Sequence, residues 1–313
     1  DEMAQPAQRP ILERMASAGV ETYVITVQKG KMHLKSVVVD DDLVISGTAN
    51  WTRQAFEANI EDTVFLSSVP LATKYREQMD RLITEATPIN VPSDNDPLKV
   101  AKQYRAMRWP TAVRPNGGGK GPVAPRVQTF QLPRMAQISQ SEAGSLEAWF
   151  TFEPGVVETL ETAIRSATNR IDVGMYLLNQ PELVQALIDQ ARAGQVHVRT
   201  LFDIQMREGA FMETMRTLEE AGCEVAVFGG DHCSLHLKTL IVDERQVWTG
   251  SANWTKGAMA ANVEDLLCFH SPEMAAYYRT FLDQVAAYCE RFNPPVANAG
   301  DVTAEGCGFI PPT

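Results

Sequence analysis

The sequence predicts an α/β protein: two tandem copies of one domain, related by a pseudo-twofold axis, each a mixed sheet flanked by helices, the first copy truncated. Three observations predict it. The first is an internal repeat. Residues 33–62 read HLKSVVVDDDLVISGTANWTRQAFEANIED and residues 236–265 read HLKTLIVDERQVWTGSANWTKGAMAANVED, identical at 16 of 30 positions without a gap. The offset of 203 also aligns Ala18-Gly19 with Ala221-Gly222, and Tyr75, Arg76 and Asp80 with Tyr278, Arg279 and Asp283. Self-similarity at a fixed offset marks a duplicated unit. The second is alternation of strand and helix patterns in the second copy, which implies a sheet covered on both faces. The third is composition: 313 residues, 44% hydrophobic and 21% charged, suit a soluble chain with two domain-sized cores.

The elements follow in order along the second copy. Residues 157–168 read as a helix and 170–178 (RIDVGMYLL) as a strand. Pro181 opens a helix that runs to Ala193, with apolar residues at helical spacing. A strand at 196–202 precedes a helix at 211–221, which Gly222 ends. Strands follow at 224–228, 236–242 and 246–249, then a helix at 272–290. In the first copy Asp1 aligns with Ile204, so counterparts of roughly 148–203 are expected to be missing and the chain to be N-terminally incomplete. The expected parts are a first domain at 1–85, a linker at 86–142, a second domain at 143–292 and a tail at 293–313.

The linker differs from both copies. Eight of the 18 prolines lie at 88–133, and Gly117-Gly118-Gly119-Lys120-Gly121 is no phosphate loop, since Lys120 lacks a following Ser or Thr. Residues 97–141 hold eight basic residues and no acidic one, within a chain of net charge −11. Two readings stay open: a solvated strap pairing with its own acidic domains, or a recruiter of an anionic membrane surface or nucleic acid with Trp109 as anchor. The overall acidity argues against a general nucleic-acid coat protein. No apolar run is long enough for a transmembrane helix. The five cysteines, Cys223, Cys233, Cys268, Cys289 and Cys307, form no CxxC pair, and a single bridge such as Cys289 to Cys307 is left open.

The repeat carries the chemistry. Residues two apart on a strand share a face, which places His33 with Lys35 and His236 with Lys238. The next strand ends in Gly47-Thr48-Ala49-Asn50, or Gly250-Ser251-Ala252-Asn253, a turn that can return a hydroxyl and an amide to the His-Lys pair. Ammonium and amide donors suit the non-bridging oxygens of a phosphate, so Thr48, Asn50, Ser251 and Asn253 are candidate phosphate ligands. A lysine beside each histidine repels a metal cation, so neither metal nor cofactor is expected. Two histidines on opposite sides of one phosphodiester can divide the work, one attacking phosphorus and the other protonating the leaving oxygen. Asp40 and Asp243 are expected to hold the fold, Trp51 and Trp254 to pack, and His197 and His270 to be structural. His232 and Cys233 are expected to be loop residues, with a place in the pocket lining left open.

The pattern HxKx4Dx6GxxN occurs twice: His33, Lys35, Asp40, Gly47, Asn50, and His236, Lys238, Asp243, Gly250, Asn253. It resembles the phospholipase D superfamily, the double-HKD enzymes, over about 1–85 and 145–290. The resemblance implies a covalent phosphohistidine formed without metal and then transferred to water or an alcohol. It assigns His33 as nucleophile and His236 as general acid, with the repeat's symmetry leaving the reverse open. It also implies an orienting carboxylate 28 residues after each histidine, at Glu61 and Glu264. The Asn-Trp-Thr after each glycine resembles the small nucleases of the superfamily. Phe56, Asn59 and Glu61 resemble cardiolipin synthases and phospholipases, although Gln54 stands where the synthases have Arg. Two motifs in one chain favour the phospholipase side, so a phospholipid or related phosphodiester is the expected substrate and nucleic acid the alternative. A cardiolipin synthase-type transferase and an inactive scaffold rank lower. The compartment is left open, a bacterial secreted or periplasmic setting being preferred.

Overall fold

The structure is a computed structural model and describes residues 5–89, 144–230 and 233–293. The basic segment 97–141, Trp109, His232 and Cys307 lie outside them. The first half runs α1 (Gln5–Ser17), β1 (Tyr23–Val24), β2 (Val37–Val39), β3 (Leu43–Gly47), α2 (Arg53–Glu57), β4 (Thr63–Ser67), α3 (Val69–Thr84) and β5 (Thr87–Pro88). The second runs β6 (Ser145–Phe150), α4 (Val156–Arg165), β7 (Arg170–Met175), α5 (Pro181–Ala193), β8 (His197–Asp203), α6 (Gly209–Glu220) and β9 (Glu224–Phe228). It continues with β10 (Lys238–Val242), β11 (Gln246–Gly250), α7 (Lys256–Ala261), β12 (Asp265–His270), α8 (Pro272–Ala286) and β13 (Cys289–Arg291).

The second half builds one eight-stranded sheet, ordered β13-β9-β8-β7-β10-β11-β12-β6. Strands β7, β8 and β9 are parallel, joined by helical crossovers, and the remaining neighbours are antiparallel. One face packs Leu240, Trp248 and Cys268 against the helices that carry Leu160, Ile164, Leu183 and Leu187. The other face is the seam of the molecule. There Val44, Ile60, Leu71 and Tyr75 of the first half share one core with Leu235, Leu237, Phe269 and Tyr278 of the second. The mixed sheets and flanking helices are those expected, and the two halves share this core.

Three local readings need correction. The helix expected to reach 290 stops at Ala286, because Cys289–Arg291 pairs with β9 and closes the sheet edge. This three-residue strand is held by backbone bonds and carries no apolar pattern to announce it. The strand expected from His236 begins at Lys238. The His236 N–H instead bonds to Ile60 O at 2.9 Å, in the opposite half. Strands β6 and β12 and helices α2 and α7 were not anticipated. The two helices are single short turns, each capped by the Thr of an Asn-Trp-Thr run: Thr52 accepts from Ala55 N, and Thr255 from Ala258 N, at 3.2 Å.

The first half forms a three-stranded sheet, β2-β3-β4, and a separate two-stranded one, β1-β5. Strand β2 pairs with β3 alone among the described residues, whereas its counterpart β10 lies between β7 and β11.

Candidate active site

The His-Lys segments sit where the halves meet, because each is stitched to the other half by its backbone. Met32 bridges Val263 and Leu235 bridges Ile60, both in parallel. The His33 N–H bonds to Val263 O at 3.0 Å, matching the His236 bond to Ile60. This exchange carries each histidine past its own sheet toward the carboxylate of the other copy.

The carboxylates are therefore crossed. His33 Nδ1 donates to Glu264, 2.7 and 2.8 Å from its two oxygens, and His236 Nδ1 donates to Glu61 at 2.8 Å. Both glutamates are nearly or fully buried. A buried carboxylate on Nδ1 fixes the ring tautomer and leaves Nε2 for chemistry. Each glutamate is itself held by a matched set. Glu61 accepts from Thr48 Oγ1 at 2.8 Å and Asn59 Nδ2 at 3.2 Å. Glu264 accepts from Ser251 Oγ at 2.7 Å and Asn262 Nδ2 at 2.9 Å.

Two of the candidate phosphate ligands thus have other work. The Thr48 and Ser251 hydroxyls are fully buried and spent on the glutamates, and each also accepts from a backbone N–H, of Asp62 and Asp265 respectively. They steady the carboxylates rather than face a phosphate. Asn50 and Asn253 are half-buried, and Asn253 Oδ1 has no protein partner among the described residues. Phosphate binding is proposed for these two alone of the four.

Lys35 and Lys238 are almost fully buried, and each ammonium donates to the carbonyl of its own histidine at 2.7 Å. Burial is the largest effect on both, lowering Lys35 to about 8 and Lys238 to about 7 against the pull of nearby glutamates. An entering phosphate would restore the charge. A lysine is cationic only below its pKa, so oxyanion affinity should weaken as pH rises through this range. Sulfate does not titrate there. Its Kd by calorimetry should rise by roughly an order of magnitude between about pH 6 and about pH 9, and a flat profile would show that the lysines do not hold the anion.

Sequence reasoning missed a second crossed layer. Asp62 accepts from Thr48 N at 3.0 Å in its own half, and from Thr249 Oγ1 at 2.5 Å and Tyr278 Oη at 2.7 Å in the other. Asp265 mirrors it, accepting from Ser251 N at 2.9 Å, Tyr75 Oη at 2.6 Å, and Ser46 Oγ. The signal was present, since the two Asp and the two Tyr are identical in the repeat. Gly47 and Gly250 belong to the same corner, at φ +135° and +146°. A Cβ would fall 2.6 Å from Asp62 O and 2.4 Å from Asp265 O, which is why the motif has glycine there. Tyr75→Phe or Tyr278→Phe leaves a buried carboxylate short of one donor. Each should lower stability in urea by about 1–3 kcal/mol, and an unchanged midpoint would remove the network from the account.

Asp243 takes the fold-holding role, bracketing the turn before β7 by accepting from Thr168, Asn169 and Arg170 N–H groups at 2.8–3.0 Å. Asp40 is exposed. Trp254 is buried, whereas Trp51 is 60% exposed, contrary to the packing role expected of it. His197 pairs with Glu224 and His270 with Glu147, both away from the site. Tyr176, also missed, packs edge-on to His236 at 4.6 Å, and Lys238 Nζ lies 5.3 Å from its ring centre. No pattern in the sequence marks it beyond its place just after β7. His236 is held below its ordinary value, first by burial and then by Lys238 and Lys35, with Glu61 opposing. Among the described residues no group of three or more His, Cys, Asp or Glu could hold a metal ion.

Comparison with known proteins gives this geometry its context. The family model described as cardiolipin synthase, phospholipase D-like domain, matches residues 1–83 and 160–286. A human mitochondrial cardiolipin hydrolase is 32% identical over 133 residues, covering 42% of this chain and 50% of that protein. A phospholipase D from Rickettsia bellii is 29% identical over 150 residues, covering 48% of this chain and 73% of that one. The chain thus spans about half the length of the cardiolipin hydrolases it matches. Among solved structures, phosphatidylserine synthase of Haemophilus influenzae superposes with a TM-score of 0.57 at 15% identity, covering 84% of this chain and 63% of that one, a likeness of fold alone. The doubled motif, the shared α/β architecture and the matched family model place the chain in the phospholipase D superfamily.

Proposed function

We propose that the chain cleaves phospholipid phosphodiesters through a covalent phosphohistidine. The observation that supports this most is the crossed pair of His–Glu contacts, which leaves two imidazole Nε2 atoms in one site with two buried lysines. His33 Nε2 attacks phosphorus, forming the P–N bond as the P–O bond to the leaving alcohol breaks. His236 gives its Nε2 proton to the leaving oxygen. Water, or an acceptor alcohol, then attacks phosphorus while His236 takes back a proton and the P–N bond breaks. The lysines and the amides of Asn50 and Asn253 hold the non-bridging oxygens.

The greater burial of His236 comes in part from Tyr176 and β7, which have no counterpart beside His33 among the described residues. It is thus a property of the second half's packing, and the attacking role of His33 rests on the resemblance to the superfamily. The lipid preference draws on the relatives named above and on the net charge of −11. Contact of an anionic membrane surface by segment 97–141 belongs to the same proposal. The test is turnover on mixed phospholipid vesicles beside single-stranded DNA, with and without chelator. Chelator-resistant release of head group supports the reading. Cleavage of the DNA alone would make the chain a nuclease, and loss of activity on chelation, restored by a divalent ion, would end the metal-free mechanism.

A further inference from the structure

The backbone that carries His236 is held from two sides. On one side stands the first half: Ser234 O accepts from Ile60 N at 2.8 Å, and His236 N donates to Ile60 O at 2.9 Å. Alternate amides of an extended chain point to opposite sides. The Leu235 N–H therefore points away from Ile60 and back into the second half. Strand β7 does not extend far enough to meet it. Its last residue, Met175, lies opposite Lys238 of β10 and Phe202 of β8, and the following Tyr176 N donates to Leu237 O at 2.9 Å. Strand β8 runs one residue further, to Asp203, whose side chain takes the amide. Asp203 Oδ2 accepts from Leu235 N at 2.8 Å, and Oδ1 accepts from Gln205 N at 3.0 Å.

A carboxylate is costly to keep in this place. Asp203 is 1% exposed, and burial raises its pKa to about 6, opposed by the Gln205 and Leu235 amides and by Lys238. Its surroundings are those of the site. Lys238 is one of the buried lysines beside the histidines, and its charge reaches Asp203. Tyr176, whose pKa is raised by burial and then by the Asp203 charge, packs edge-on to His236. The Leu235 side chain is fully buried in the core that the two halves share. Leu235 is thus anchored by its side chain in the seam and by its amide on Asp203, one residue before the histidine.

We infer that Asp203 is a positioning residue for His236: by holding the Leu235 amide it clamps the histidine's backbone from the side opposite Ile60, so that the ring meets both Glu61 and the leaving oxygen. It acts through the backbone and gives no proton to the substrate. Its importance to rate rests on the proposed role of His236 as general acid. A displaced acid costs rate when the leaving group needs a proton and costs little when it does not. Without the carboxylate, the Leu235 N–H is buried with no acceptor, and the segment gains by shifting to find one.

The experiment compares the full chain with Asp203→Leu, which has no acceptor, and Asp203→Asn, which keeps the shape and one acceptor oxygen. The first readout needs no substrate. At about pH 8, above the titration range of His236, nitrogen-15 spectra should show the His236 ring resonances moved in Asp203→Leu and those of His33 in place. The second is turnover on two phosphodiesters, one with an alkyl and one with a nitrophenyl leaving group. Asp203→Leu should lower kcat on the alkyl diester by about 10-fold or more with little change in KM, and should lower it far less on the nitrophenyl diester. Asp203→Asn should show both effects at smaller size, and it carries the test if the leucine variant does not fold. His236 resonances unmoved in a folded variant would overturn the inference, as would equal displacement of both histidines. His236 displaced alone, with equal losses on the two diesters, would uphold the clamp and count against His236 as the general acid.

Discussion

His33→Ala should abolish covalent labelling by a phosphodiester substrate, because no nucleophile then remains to form the P–N bond. His236→Ala should still label, slowly, with a substrate whose leaving group needs no proton. Each should reduce turnover of an ordinary diester by ~10²-fold or more, the scale of one positioned acid or base. Rapid acid quench followed by mass mapping of the modified peptide reads both outcomes. Labelling that survives His33→Ala and vanishes in His236→Ala would reverse the roles while leaving the site intact. Labelling in both variants would remove the histidines from the covalent step.

The crossed carboxylates give the second large effect. Glu264→Gln should damage the chemistry of His33, and Glu61→Gln that of His236. Gln keeps the shape but loses the charge that steadies the imidazolium, so kcat should fall by about 10- to 100-fold with little change in KM. The pH profile separates this from a packing defect. The bond to Glu61 raises the His236 pKa against the lowering by burial, so its loss moves that pKa further down. A general acid works only while protonated. The alkaline limb of kcat should therefore shift to lower pH in Glu61→Gln. An unmoved limb with lowered kcat would mark Glu61 as structural.

Much of the site was legible because the repeat printed it twice. The His, Lys and Asn positions follow from a doubled pattern whose residues have one joint use, and the Glu positions from the resemblance to the superfamily. What spacing could not supply was the partner of each glutamate. A count of 28 residues fixes where Glu61 stands in the chain but not which histidine it meets. That depends on the backbone bridges at Met32 and Ile60, which pass each histidine to the opposite half. The same limit explains Thr48 and Ser251. Their place beside the motif suggested a phosphate, but burial beside a carboxylate claimed their hydroxyls first. Asp62 and Asp265 were visible as repeated acids, yet their cross-half partners Tyr278 and Tyr75 are far along the chain. The α/β elements of the second half followed from apolar periodicity. Short strands such as β13 did not, since backbone pairing alone defines them.

Exchanged His–Glu pairs assemble one site from both halves. The most direct test is nitrogen-15 spectroscopy of the histidine rings, assigned with His33→Ala and His236→Ala. Glu264→Gln should perturb the Nδ1 resonance of His33 and leave His236 in place, while Glu61→Gln should do the converse. Perturbation of the histidine in the same repeat as the altered glutamate, with the opposite ring unmoved, would contradict it.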